Sequence, residues 1–140
     1  MADVSDSYFA SVEGTPTADG RFVTVDTDTE RVEFIKGLTF NPVVGEAVMA
    51  SFVRYEPRTE APVHAHAEEQ FTIVVEGELE FDLDGETRVL GPGQVAVIPP
   101  YVPHGARTRD QPCLEIDVFS PPRQALLALL DAERADEPPA

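Results

Sequence analysis

The sequence is poor in several residue types, and each shortage excludes something. Its 140 residues include one cysteine, Cys113, so no disulfide can form within the chain. Tryptophan is absent, and Lys36 is the one lysine beside nine arginines. With a formal net charge of −16, the chain would repel phosphate backbones, so we expect no nucleic-acid partner.

Long hydrophobic runs are also missing. No apolar run approaches the roughly 18 residues that a transmembrane helix needs, so we expect no membrane association. Residues 1–14 are acidic and lack the basic start and apolar stretch of a secretory signal, which favours a cytoplasmic location. The length suits one domain, and 42% hydrophobic residues suffice for a core.

Histidine is scarce too, but its placement predicts a metal site. The three histidines are His64, His66 and His104. On a strand, side chains two residues apart share a face, so His64 and His66 could reach one ion, and Gln70 and Glu68 have the same parity. A neighbouring strand would have to supply His104. Because histidine is the commonest ligand for transition metals, we predict that these three residues bind one ion.

Most of the chain alternates apolar and polar residues in short runs, as strands do. Residues 21–26, 31–35 and 46–56 follow this pattern, and residues 70–100 predict four strands separated by glycine-containing turns. Residues 113–119 predict a last strand. Its two faces would carry Leu114, Ile116 and Val118 on one side and Cys113, Glu115, Asp117 and Phe119 on the other.

The periodicity changes after this strand. Ser120 is a plausible N-cap and Pro121 a good first helical residue, so residues 121–134 predict one helix. We therefore divide the chain into a polar lead-in (1–20), a barrel (21–120), and a helix with a tail (121–140). The fold class predicted is all-β, an antiparallel barrel or double-sheet jelly roll with a short C-terminal helix.

Two motifs make the chain resemble the cupin superfamily. The first cupin motif has HxH, a glutamate three or four residues later, and a glycine six residues after that; here these positions hold HAH, Gln70 and Gly77. The second runs from a glycine through PxG to a histidine; here it runs from Gly93 through Pro99 to His104. The resemblance implies a jelly-roll β-barrel that binds one divalent transition metal, which could be Zn, Ni, Fe, Mn or Co.

This sequence departs from the cupin motifs at four positions. Arg58 and Tyr101 replace glycines, Thr108 replaces an asparagine, and Gln70 replaces the glutamate ligand. The resemblance implies that the Gln70 amide oxygen coordinates the ion, or that Glu68 or water takes its place. A neutral ligand leaves the ion its full charge, which favours Lewis-acid work on an anionic substrate over redox chemistry.

The HxHxxEQ pattern and the segment DVFSPPR (117–123) are similar to those of small cupins that linearise unsaturated uronates. In that subgroup an aspartate, an aromatic residue and an arginine line the active site; the matching residues are Asp117, Phe119 and Arg123. This implies an isomerase or lyase acting on an acidic sugar, and small cupins of this kind commonly form homodimers. A cupin oxygenase, a polyketide-type cyclase and a non-catalytic binding module are the alternatives.

Overall fold

The computed structural model describes residues 7–135. Ten strands and two helices lie wholly within that range. The helices are α1 (Val25–Asp28) and α2 (Gln124–Ala135). The strands are β1 (Val32–Ile35), β2 (Leu38–Val44), β3 (Met49–Tyr55), β4 (Glu60–His64), β5 (Glu69–Glu76), β6 (Leu79–Leu83), β7 (Glu86–Leu90), β8 (Val95–Ile98), β9 (His104–Arg107) and β10 (Cys113–Ser120).

The strands form two antiparallel sheets around one core. A six-stranded sheet has the order β1-β2-β3-β10-β5-β8, and a four-stranded sheet has the order β4-β9-β6-β7. Buried side chains from both sheets meet between them, among them Phe40, Val53, Val74, Phe81 and Ala106. The predicted all-β jelly roll with a terminal helix is confirmed.

The strand register of the larger sheet places polar residues in successive rows on its inner face. Each row crosses β5, β10 and β3 at directly paired positions. The rows are Gln70–Phe119–Met49, Thr72–Asp117–Ser51 and Val74–Glu115–Val53. The predicted shared face of Glu115, Asp117 and Phe119 is therefore confirmed, and it is the inner face of the sheet.

Near the N-terminus one local prediction was wrong and one strand was missed. Residues 21–26 do not form a strand, because the backbone N–H of Thr24 donates to the Asp28 carboxylate and a helical turn forms instead. Strand β2 was not predicted, since Asn41 and Pro42 interrupt its pattern. The structure accommodates Pro42 because the short edge strand β1 pairs only as far as Phe40, so no partner there needs an N–H.

The terminal helix begins later than predicted. Ser120 is the last residue of β10, where its hydroxyl donates to the Ala47 carbonyl, and α2 begins at Gln124 instead of Pro121. Leu130 is buried and joins the core, which packs the helix against the barrel. The domain boundaries at residues 20 and 120 stay predictions.

Neither helix in residues 7–135 is long and apolar enough to span a bilayer. The cytoplasmic location and the homodimer stay predictions. On the outer face of β5 and β8, Phe71, Val95 and Val97 are 40%, 45% and 51% exposed.

Candidate metal centre

The three histidines converge at one end of the barrel. His64 is the last residue of β4, His66 lies in the following loop, and His104 begins β9, where it pairs directly with His64. Their candidate ligand atoms all lie within 4.8 Å of one another. The convergence was predicted, but the reason given for it was wrong: His64, His66 and Gln70 do not share one strand, and Gln70 lies on β5.

Gly105 allows β4 and β9 to approach closely beside this cluster. A Cβ atom at this position would lie 3.0 Å from the Ala61 carbonyl oxygen and 3.0 Å from the Val63 backbone nitrogen. Such contacts are tighter than ordinary packing permits. A side chain here would therefore push β4, and with it His64, away from His104.

Backbone carbonyls orient all three imidazole rings in the same way. Each Nδ1 lies within hydrogen-bond distance of a carbonyl oxygen two residues away: His64 with Pro62 at 2.8 Å, His66 with Glu68 at 3.0 Å, and His104 with Val102 at 2.9 Å. A neutral imidazole that donates from Nδ1 keeps its lone pair on Nε2. Three Nε2 lone pairs are therefore available to one ion.

The Gln70 amide is held with its oxygen toward these nitrogens. Its Oε1 lies 2.9 Å from Nε2 of His66 and 3.2 Å from Nε2 of His104. Its Nε2 donates to the Thr72 hydroxyl at 2.9 Å, and that hydroxyl donates to Asp117 at 2.7 Å. Acceptor lone pairs thus face one another across a small gap, an arrangement that a cation stabilises. Three imidazole nitrogens and one oxygen fit a divalent transition metal.

Burial keeps two of the histidines neutral, as metal binding requires. It lowers the pKa of His104 to about 4, and it lowers the pKa of His66 with help from the positive charge of Arg123. At neutral pH neither ring needs to release a proton before it can coordinate. Phe81 stacks on His104 with 6.4 Å between ring centroids, and Phe119 meets His66 edge-on at 5.8 Å.

Asp117 lies one row below Gln70 and belongs to a pair of carboxyl groups. Burial raises the pKa of Asp117. Glu115, which is 1% exposed, hydrogen-bonds Asp117, and burial followed by the Asp117 charge raises the pKa of Glu115 well above its usual range. Glu115 therefore holds its proton more tightly than an exposed glutamate does. Sequence reasoning missed the roles of Thr72 and Glu115, although each shares strand parity with a predicted site residue.

Arg123 lies just before α2 and lines the same cavity as Asp117, His64 and His104. Its Nη1 is 3.6 Å from the Glu68 carboxylate, which is 3.4 Å from Nδ1 of His66. Glu68 therefore contacts the side of His66 opposite the Nε2 cluster. It also contacts Arg123, and the alternative in which Glu68 replaces Gln70 as a ligand stays a prediction.

The other motif departures are structural. Arg58 and Tyr101, at the two glycine positions, both have left-handed backbones with φ of 55° and 66°. The Tyr101 N–H donates to the His66 carbonyl at 2.8 Å, while its side chain is 72% exposed. Thr108, at the asparagine position, donates to the Glu56 carbonyl at 2.6 Å and accepts from the Thr59 N–H at 3.1 Å. These contacts support the turns around the site.

The comparisons with known proteins agree with this geometry. A family model described as a cupin domain matches residues 51–119. An RmlC-like cupin from Shewanella frigidimarina NCIMB 400 is 32% identical with a TM-score of 0.71, and the match covers 77% of this chain and 96% of that one. The chain belongs to the cupin family.

Two other known proteins are also similar to this cupin. KdgF from Halomonas sp. is 30% identical with a TM-score of 0.66, and the match covers 69% of this cupin and 92% of that chain. H2HPP isomerase from Bacillus subtilis is 41% identical over 73 residues, which are 51% of this cupin and only 30% of that protein's length. The resemblance to the uronate-linearising cupins is confirmed.

Proposed function

We propose that this cupin is a metal-dependent isomerase that acts on a small unsaturated acid. The observation that carries the proposal is the hydrogen-bond chain from Gln70 through Thr72 to Asp117, which joins the candidate metal centre to a buried carboxyl group inside one cavity. Ring opening of an unsaturated uronate, the reaction implied by the sequence resemblance, is the first reaction to test. The isomerase name of the Bacillus subtilis relative supports the same class of reaction.

His64, His66, His104 and Gln70 would hold the ion. When bound, a divalent ion supplies Lewis acidity that stabilises negative charge developing on a substrate oxygen. The neutral glutamine would leave the ion its full charge, which suits an anionic substrate. This choice of ligand also counts against the oxygenase alternative.

Asp117 would move the proton. An isomerisation of this kind takes a proton from one atom of the substrate and returns it to another, so one carboxylate can serve as base and then as acid. Burial raises the pKa of Asp117, which makes it a stronger base than an exposed aspartate, while the Thr72 hydroxyl orients one of its oxygens. The raised pKa of Glu115 disfavours a second negative charge beside this group.

Arg123 would bind the substrate carboxylate. Its side chain is 20% exposed and faces the cavity, and Glu68 contacts only one of its terminal nitrogens, at a long 3.6 Å. A guanidinium can therefore still present two parallel N–H donors to a carboxylate. Phe119 would form an apolar wall beside His66 and limit the access of water.

The test is a panel of unsaturated acids, beginning with 4,5-unsaturated galacturonate, in which loss of the ultraviolet-absorbing double bond is followed. Asp117→Asn should mainly lower kcat, and Arg123→Lys should mainly raise KM because the bidentate contact is lost while the charge remains. His66→Ala, which should lose the metal, is the metal-free control. If no acid is turned over in a metal-dependent way, the chain remains a cupin but the isomerase proposal is wrong.

A further inference from the structure

The cavity beside the metal centre is polar at one end and apolar over most of its wall. It has a volume of about 300 Å³. The candidate ligands, Asp117 and Arg123 occupy the polar end. The remaining wall comes from both sheets and from α2, and includes Phe34, Phe40, Val53, Phe81, Leu126 and Leu129.

Most polar groups of the cavity already have partners within the protein. The three Nδ1 atoms contact backbone carbonyls, and the Gln70 amide N–H and the Thr72 hydroxyl belong to the chain that ends on Asp117. Within residues 7–135, two buried side-chain atoms of the cavity lining have no hydrogen-bond partner: Ser51 Oγ and Glu115 Oε2. They lie on the neighbouring strands β3 and β10, one row apart. Among the residues that line the cavity, the polar side chains beyond the metal end are these two and Tyr55.

Because few polar groups of the cavity wall are available, a ligand with an apolar body fits the cavity better than a sugar ring does. A uronate carries hydroxyl groups around most of its ring, and each one buried without a partner weakens binding by roughly tenfold. An apolar ring of the same size has no hydroxyl groups to leave without partners, and its transfer from water into the cavity favours binding. Arg123 would bind the carboxylate of either ligand.

We infer that this cupin takes an unsaturated acid whose body is a largely apolar ring or chain, in place of a polyhydroxylated uronate. The inference rests on the proposed function: it keeps the metal, Asp117 and Arg123 in their roles and narrows the substrate class. The carboxylate lies at the polar end, and the body fills the space between Phe34, Phe81 and Leu129.

Two probes of equal ring size and charge test the inference. Cyclohex-1-ene-1-carboxylate and 4,5-unsaturated galacturonate both carry a carboxylate on a ring double bond and differ chiefly in hydroxyl groups. Titration calorimetry with the zinc-loaded full chain should show the cyclohexene acid binding at least about tenfold more tightly. Equal or tighter binding of the galacturonate, or binding of neither acid, would overturn the inference.

A matched pair of variants on α2 checks that the apolar wall is responsible. Leu129 lines the cavity and is 42% exposed, whereas Leu127 on the same helix does not line it. Leu129→Asn should weaken binding of the cyclohexene acid by about fivefold or more, and Leu127→Asn should leave it unchanged; equal effects would contradict the inference.

Turnover separates the two proposals: a galacturonate that binds more tightly and is consumed would overturn this inference alone. Preferred binding of the cyclohexene acid without metal-dependent turnover of any unsaturated acid would remove only the isomerase function.

Discussion

Replacing Thr72 with valine tests whether a hydrogen-bond chain positions the oxygen ligand of the metal centre. Thr72 is 1% exposed, so valine keeps the shape of the side chain and removes the hydroxyl. The change removes the donor to Asp117, a bond to a charged group worth about 1.5–3 kcal/mol, and the acceptor for the Gln70 amide, worth about 0.5–1.5 kcal/mol. We expect the free energy of unfolding of the metal-free protein to fall by about 2–4.5 kcal/mol.

The effect on metal binding has a separate cause. Without the Thr72 hydroxyl, the Gln70 amide loses the acceptor that keeps its oxygen toward the histidines. Loss of a residue that orients a ligand typically weakens metal binding by about 10- to 100-fold. Competition with a chromophoric chelator measures this affinity, and urea unfolding of the metal-free protein measures the stability.

Thr59→Val is the matched control for this experiment. Thr59 is also buried, but its hydroxyl donates only to the Pro57 carbonyl at 3.3 Å, away from the cavity. The control should bind metal as the unchanged protein does. If Thr72→Val loses stability but keeps its metal affinity within about twofold, then Thr72 does not position a ligand, and the assignment of Gln70 to the ion loses its support.

Two further predictions concern stability. Burial raises the pKa of Glu115, so the folded chain binds this proton more tightly than the unfolded chain and loses stability as the pH rises above about 4.5. Glu115→Gln should therefore raise the free energy of unfolding more at pH 8 than at pH 5. The gain should grow by about 1.4 kcal/mol per pH unit over the range in which only the folded state keeps the proton. Equal gains at both pH values would contradict this. Tyr101 has a left-handed backbone that costs about 1–2 kcal/mol, and Tyr101→Gly should remove this cost. Glycine also adds about 0.5–1 kcal/mol of chain entropy to the unfolded state, so the net effect should be a slightly higher Tm in thermal unfolding. A lower Tm would show that Tyr101 contributes contacts outweighing this cost.

Local pattern was sufficient to predict several features of this protein. Period-2 alternation predicted most strands and placed Asp117 and Phe119 on one face, because side-chain direction in a strand depends only on parity. The positions of the three histidines in the two cupin motifs predicted their cluster, although His64 and His66 do not share a strand. The turn positions at Arg58 and Tyr101 followed from motif register, and both have the backbone conformation that glycine favours.

Tertiary structure decided what parity and spacing could not. His66 lies in a loop, so its place beside His104 depends on the pairing of β4 with β9 and on the close approach at Gly105. The orientation of the Gln70 amide depends on Thr72 and Asp117, which come together only when β5 pairs with β10. The apolar wall joins residues from β1, β2, β3, β6 and α2, far apart in the chain. A sequence pattern reports which face a residue takes along its own strand, whereas the shape and polarity of a cavity depend on which strands close around it.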